Sequence, residues 1–457
     1  MSKDFSLLPL ALCLLLFAPA LAAQAPPTAP TLTLTEAVRV ALEKNLTLAP
    51  AEAYAQAVSE GIAEAKASRL PRVDFAESAI RGNNPVYVFG GLLTQRQFMP
   101  GNFALDFLNT PPPLNVFRTQ FSAALPLYDA GQTGRRINDA KLNAQSAKEA
   151  HQRTRQEVVF NVVKAYTNEL VTREKVRVAE SSVETAKSDL ERAQAREEGG
   201  LAVPSDLLSA RVQLAQAQQD LAQAQSAVDL AHATLNVAIG LPEDSALPIE
   251  PGLKESSFTA GVLADRQQLA LTTRPDLIEA GLARQRAANG SRMARAEFLP
   301  KLNAFSSWEE DNQAFLARGG NNWTAGVSLN INIFDGGANR ARLGAAKYLE
   351  RRAEAMAGQM AAGVKLQVRE TYLNLNTAKQ RVEVARQAQS EAAESLRIIQ
   401  NRYEAGLATI TDLLRVESAS TAAQENYLNA LFDYRLSSAA LELATGELAP
   451  GSPAVTQ

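Results

Sequence analysis

Residues 125–240 of this chain recur, without a gap, at residues 331–446. Tyr166 matches Tyr372, Gly200-Leu201 matches Gly406-Leu407, Asp206-Leu207-Leu208 matches Asp412-Leu413-Leu414, and Gly240 matches Gly446, all at an offset of 206 (372 − 166). Upstream the echo continues at an offset of 229: Asn45 with Arg274, Leu48 with Leu277, and Leu70-Pro71 with Leu299-Pro300. The first copy therefore carries 23 extra residues (229 − 206) between Pro71 and Leu125. A unit of about 200 residues far exceeds solenoid periods, so this is a duplicated domain and not a repeat array. Whatever the chain folds into is built twice from one plan.

Each copy reads helix, strand, strand, very long helix, turn, helix. A helical pattern opens at Thr35-Glu36 and runs to about Arg69, where Leu70-Pro71 stops it, because the residue before a proline is pushed out of helical geometry. Strands are expected at about 72–80 and 117–127 in the first copy and at about 301–308 and 323–333 in the second. From Trp323 to Ile333 most odd positions are apolar and the even ones small or polar, and Phe117, Phe121, Leu125 and Leu127 keep the same phase against Arg118, Gln120 and Ser122. After each second strand, helical periodicity runs for about 68 residues, roughly 100 Å at 1.5 Å per residue. Turns at Gly200 and Gly406 then send back a helix of about 35 residues. Leu207, Leu214, Leu221, Val228 and Leu235 recur every seven residues, with Ala210, Ala217, Ala224, Ala231 and Ala238 three positions on, a pattern for close helix packing. The expected units are 33–240 and 265–447, a Pro-, Glu- and Ser-containing linker at 241–264, and a tail at 448–457.

Composition agrees with long helices: 46% of residues are apolar but only 6% aromatic. The formal charge of −3 gives no reason to expect nucleic acid as a partner. At the N-terminus Lys3 precedes a short apolar run, then Pro19 and Ala20-Leu21-Ala22-Ala23, which reads as a secretory signal peptide over 1–23. The sole cysteine, Cys13, lies inside that run behind Leu12 and not behind a small residue, which argues against an N-terminal lipid anchor. A mature chain so processed has no thiol for disulfides or cysteine metal sites.

Strands of about ten residues are long enough to cross a bilayer at a tilt. Phe117, Trp308 and Trp323 sit toward one end of them and Tyr128 and Phe334 toward the other, as interfacial aromatic girdles would. Four strands cannot close a barrel, and lipid forbids an open sheet edge. Copies of the chain must pool strands: two would give eight strands around a filled lumen, three would give twelve around a water-filled bore. The long segment 81–115, with Asn83-Asn84-Pro85, Gly90-Gly91 and Pro111-Pro112-Pro113, suits an extracellular loop.

The chain resembles the TolC family of outer membrane efflux proteins over about 33–447. The resemblance is carried by the duplicated Leu-Pro, by Pro126-Leu127-Tyr128-Asp129-Ala130-Gly131 and Ile333-Phe334-Asp335-Gly336-Gly337, and by Arg402-Tyr403-Glu404-Ala405-Gly406-Leu407-Ala408-Thr409-Ile410-Thr411-Asp412-Leu413-Leu414. In the first loop, Pro85-Val86-Tyr87-Val88-Phe89-Gly90 looks like a subgroup of that family. It implies a mostly α-helical homotrimer whose chains each give four strands to a twelve-stranded outer-membrane β-barrel, joined to a periplasmic α-helical barrel. Its partners would be a periplasmic adaptor (membrane fusion protein) and an inner-membrane pump of the RND or ABC type, in efflux or type I secretion. No cofactor is implied. By resemblance, the gate beside the hairpin turns maps to Asp206, Tyr403 and Asp412. A three-fold ring of carboxylates there would attract cations and repel anions. Both aspartates also suit the first turn of a helix, and Thr409 with Asp412 reads as a capping box. Where well-known members carry an arginine this chain has Ala408, so the resemblance implies either closing contacts through Arg415 or a looser resting gate.

His151 and His232 have no helical metal-ligand companion, and no nucleophile elbow, phosphate loop or dinucleotide fingerprint occurs, so an enzyme is not expected. A periplasmic coiled-coil scaffold or adaptor would explain the helices but not the strands.

Overall fold

The computed structural model describes residues 31–252, 258–315, 317 and 319–456. The signal-peptide expectation at 1–23 lies outside the described residues, as do positions 253–257 of the linker. The first copy runs α1 (Leu34–Lys44), α2 (Leu48–Ala67), β1 (Arg72–Gly82), α3 (Pro85–Thr94), a 3-10 turn (Pro100–Phe103), α4 (Leu105–Asn109), β2 (Leu114–Tyr128), α5 (Gln132–Glu198) and α6 (Pro204–Ala238). The second runs α7 (Leu263–Thr273), α8 (Pro275–Ala296), β3 (Lys301–Asn312), β4 (Gly320–Asn330), α9 (Ala338–Glu404) and α10 (Ile410–Thr445), followed by the short α11 (Pro453–Thr456).

The two 67-residue helices α5 and α9 are each about 100 Å long. α2 and α6 lie along α5, and α8 and α10 along α9; α5 also touches α8 near the sheet and α10 beyond it. The leucine–alanine seam of α6 forms as its heptads require: Val183, Ala186 and Ala217 are buried with Leu214 and Leu221 against them. Among the described residues no helix is long and apolar enough to cross a membrane.

The helical pattern of 35–69 is not one helix. Asn45 turns extended (ψ 125°) and separates α1 from α2, and Arg274 does the same (ψ 124°) between α7 and α8. Both breaks dock on the end of the returning helix. Asn45 Nδ2 donates to the Ala238 carbonyl at 2.7 Å, and Arg274 Nη1 to the matching Ala444 carbonyl at 3.1 Å. Gly240 and Gly446 (φ 79° and 78°) make room: a Cβ at Gly240 would stand 2.4 Å from the Lys44 carbonyl oxygen, one at Gly446 3.1 Å from Arg274 Cα. The duplication extends to single bonds, since Tyr166 donates to the Leu32 carbonyl and Tyr372 to that of Gly261, again related by 206 and 229.

The linker and tail pack onto this level. Leu32 bridges Ile249, and Ile249, Leu448, Ala454 and Val455 join the core that surrounds Val162 and Tyr166. His232 links α6 to α5 and to the linker: its Nδ1 lies 3.0 Å from the buried Glu169 and its Nε2 donates to the Ser245 carbonyl at 2.8 Å.

The strands form one antiparallel sheet in the order β1-β2-β3-β4. Three strands are longer than the sequence pattern indicated, and the fourth spans 320–330 where 323–333 was expected. The reason is pairing: Asn330 faces Lys301, the first residue of β3, so among the described residues no strand partner faces 331–333. β1 and β4 are bare edges.

Candidate functional site

Two faces of the sheet differ as a pore wall requires. Phe75, Phe121, Trp308 and Trp323 stand directly opposite one another in register, a single aromatic row across all four strands. Phe75 and Phe121 rings are 5.2 Å apart and Phe121 and Trp308 6.0 Å, distances at which aromatic pairs attract. Val73, Leu125, Val327 and Leu329 continue this face. Of the three girdle positions expected, Trp308 and Trp323 form a direct pair; Phe117 lies one row pair further out, against Phe315 at 6.2 Å. Phe75 and Phe121 complete the row; Phe121 was legible as an apolar in-phase position, and Phe75 was not singled out.

The opposite face carries Arg118, Gln120, Ser122, Ser307, Glu309, Asp311, Thr324 and Ser328. Arg118 grips Asp311 with two parallel bonds, 2.8 and 3.0 Å, the strong bidentate form of the pair. Up to the aromatic row, one face is aromatic and aliphatic and the other charged and hydroxylic, the alternation of a transmembrane barrel wall; one row beyond it the first face turns polar with Glu77, Thr119, Glu310 and Asn321.

The second locus is the far end of the long helices. Gly200 and Gly406, both left-handed (φ 70° and 76°), end α5 and α9 with the same two bonds: the glycine N–H to Glu197 or Tyr403, and the following leucine N–H to Arg196 or Arg402. Leu201 and Leu407 stand exposed at the turns. Asp412 caps α10: Thr409 Oγ1 accepts from its N–H at 3.1 Å, and its carboxylate accepts from the Thr409 hydroxyl at 2.8 Å. Those bonds hold its carboxyl below the usual range, with Arg415, 3.6 Å away, adding a smaller pull. Asp206 is half-buried in the first turn of α6 and makes no ion pair among the described residues.

Tyr403 is buried with Ile410 and Leu413, and its partner across the hairpins is Arg196. The Arg196 guanidinium lies 4.7 Å over the Tyr403 ring and donates to the Tyr403 carbonyl at 2.9 Å, joining α5 to α9. One turn deeper Arg192 bonds Asp189 at 2.5 Å and approaches Glu404 at 3.7 Å. Asp189, fully buried, meets the buried Glu417 of α10. Burial and the adjoining Asp189 carboxylate push the Glu417 carboxyl up to about 8, against a smaller lowering by Arg192. One oxygen of each carboxyl, Asp189 Oδ2 and Glu417 Oε1, is buried without a hydrogen-bond partner. A cavity of about 80 Å³ opens beside Glu417, lined also by Ser182, Ser420 and Thr421. Sequence reasoning missed Arg196, Arg192, Asp189 and Glu417. The available signal was an acid on an otherwise apolar or small stripe, Ala186–Asp189–Ala193 and Ile410–Leu413–Glu417.

The chain thus combines a duplicated helical body with a four-stranded sheet of two unlike faces. Comparison gives its family. The model of the outer membrane efflux protein family matches residues 37–241 and 267–447, and the chain belongs to that family, one of outer-membrane transport proteins. Protein CyaE of Bordetella pertussis is 27% identical over 205 residues, 44% of this chain; the match spans less than half, 42%, of that relative. Among solved structures the fold is similar to CusC (TM-score 0.78, 18% identity, 93% of this chain and 95% of that one). It is also similar to the CmeC outer membrane channel of Campylobacter jejuni (0.77, 17%, 92% and 87%) and to the open state of the MtrE outer membrane channel of Neisseria gonorrhoeae (0.76, 19%, 92% and 90%).

Proposed function

We propose that three copies of this chain form the exit duct of an efflux or type I secretion assembly. The duct passes cargo from a periplasmic adaptor and an inner-membrane RND or ABC-type pump through the outer membrane. The observation that carries this reading is the sheet: an apolar aromatic face, a charged face, and two bare edges of eleven residues each. In hydrocarbon each unpaired backbone group costs several kcal/mol. Three copies give twelve strands and a bore that water can fill, while two give a lumen plugged by side chains. Exposed apolar residues on α6 (Leu208, Val212, Leu230) and on α9 (Leu373, Val384) supply flanks for neighbouring copies along the helical tube. The duct is passive and performs no chemistry; the pump supplies the energy.

Fractionation and reconstitution test this. The protein should stay with outer membranes through alkaline washing and make lipid vesicles permeable to ions; release by the wash, or vesicles that stay tight, would refute the duct.

The helix tips are the proposed gate. Arg196→Ala removes both bonds that hold α5 to Tyr403 and should at least double single-channel conductance; an unchanged conductance would exclude Arg196 from closure. Asp412→Asn keeps an acceptor for the cap but removes the charge. Block by divalent cations should weaken several-fold with little change in melting temperature. If block is unaltered, Asp412 does not face the conduction path.

A further inference from the structure

Helix α3 lies on the pore side of the sheet. Asn84 caps it, accepting from the N–H groups of Val86 and Tyr87, and Pro85 occupies its first position, so the helix forms from local sequence. A Cβ on Gly91 would stand 2.7 Å from Leu114 Cδ2 and 3.1 Å from Val116 Cγ2. Leu114 and Val116 share the phase of Arg118 and Gln120, the charged face. A Cβ on Gly320 would come 1.9 Å from the Thr94 carbonyl oxygen, and Asn322 Nδ2 donates to that oxygen at 3.1 Å. Gly320 and Asn322 share the phase of Thr324 and Ser328. The helix is also strapped to three strands: Tyr87 donates to the Ile80 carbonyl (2.9 Å), Gln95 to that of Asn115 (2.9 Å), and Arg96 to that of Asn321 (2.6 Å).

Val88, Gly91 and Leu92 are buried beneath it. The opposite stripe, Val86, Gly90 and Leu93, is apolar and open: Val86 is 81% exposed, Leu93 49%, and nothing lies within 4 Å of a Cβ at Gly90. An apolar stripe pointing away from the wall of a polar bore finds a neighbour of matching character in the same stripe on the other copies.

We propose that α3 is a collar inside the outer mouth of the duct, its Val86–Gly90–Leu93 stripe meeting those of the two other subunits near the three-fold axis, and that this collar limits the cross-section of cargo. This rests on the three-copy duct above. Twelve strands about 4.8 Å apart at a tilt of about 40° enclose a bore on the order of 24 Å between backbones. Helices about 10 Å thick, laid on that wall from three sides, leave little room at the centre. Gly90, with no side chain, lets the helices approach. The cargo class so favoured is small solutes and not folded polypeptides.

The test uses full-length protein with Cys13→Ser, so that introduced thiols are the only ones. Val86→Cys should give a two-chain covalent product on oxidation. A bulky, membrane-impermeant thiol reagent should lower its single-channel conductance at least two-fold. Leu105→Cys, equally exposed but off the stripe, should do neither. Replacing residues 86–94 by Gly and Ser should let larger sugars enter swelling-assayed vesicles. Full labelling of Val86→Cys with unchanged conductance, in channels whose subunits still cross-link through Ser78→Cys and Ser328→Cys, would overturn the collar alone. Loss of both channels and that cross-link would overturn the duct on which it stands.

Discussion

Cysteines placed at Ser78 and Ser328 should join neighbouring subunits into a covalent ladder whose largest band is three chains. The register comes from the duplication itself. Arg72 faces Ala124 and Lys301 faces Asn330, and the offsets 229 and 206 convert one pair into the other, so β1–β2 and β3–β4 are the same ladder twice. Between the copies β2 pairs with β3, Phe121 opposite Trp308 and Leu125 opposite Ala304. Carrying that pairing forward by the same offsets sets Val327 of β4 against Ala79 of the next subunit's β1, Ser328 against Ser78, and Ile331 against Phe75. Residues 331–333, which no strand partner faces among the described residues, thereby gain one. Adjacent antiparallel pairs alternate between hydrogen-bonded and open types, with Cα separations of about 5.5 and 4.5 Å, both within disulfide reach. Testing Ala79→Cys with Val327→Cys alongside Ser78→Cys with Ser328→Cys covers both types. Denaturing electrophoresis after mild oxidation reads the outcome. A displaced pair, Ala76→Cys with Ser328→Cys, should stay monomeric. If neither in-register pair links, or the displaced pair links as well, the pseudo-symmetric closure is wrong.

Legibility in the sequence followed the range of the interaction responsible. Period-two alternation and the repeated Leu-Pro placed all four strands, because side-chain direction in a strand is a local property. The apolar phase of β4 continues to Ile333, yet the strand stops at Asn330, since a ladder needs a partner that one chain does not contain. The break at Asn45 was hidden for a related reason. Arg274 precedes Pro275 and so announces its break, whereas Asn45-Leu46-Thr47 carries no such mark and bends where it docks on Gly240. At the helix tips, resemblance pointed to Asp206, Tyr403, Asp412 and Arg415. The structure places Asp412 in a cap and Tyr403 under Arg196, while the buried contacts between hairpins come from Asp189, Arg192 and Glu417. Those partners lie in different copies, and only tertiary packing brings them together.

That buried pair makes the tip pH-sensitive, with a defined sign. Glu417, raised to about 8 from the ordinary glutamate value of 4.5, holds its proton in the packed state over a range in which an exposed glutamate has lost it. The packed state therefore binds more protons than any state that exposes Glu417. Its advantage is full below pH about 4.5 and is lost as pH rises through about 8. Asp189 lies on α5 and Glu417 on α10, in separate hairpins, with Arg192 and Glu404 as the charged neighbours. Parting the hairpins is what exposes the carboxyl. Open probability in planar bilayers should accordingly climb between pH 5 and 9, and the melting temperature should fall over the same interval. Glu417→Gln supplies a permanent donor to Asp189 in the shape of the protonated acid, so both profiles should flatten and channels at pH 9 should resemble the parent at pH 5. Glu417→Ala removes the donor and leaves Asp189 buried beside Arg192, its one ion-pair partner among the described residues, so it should open at every pH. A parent profile independent of pH, or a Gln variant that keeps the parent's slope, would place the responsible proton elsewhere.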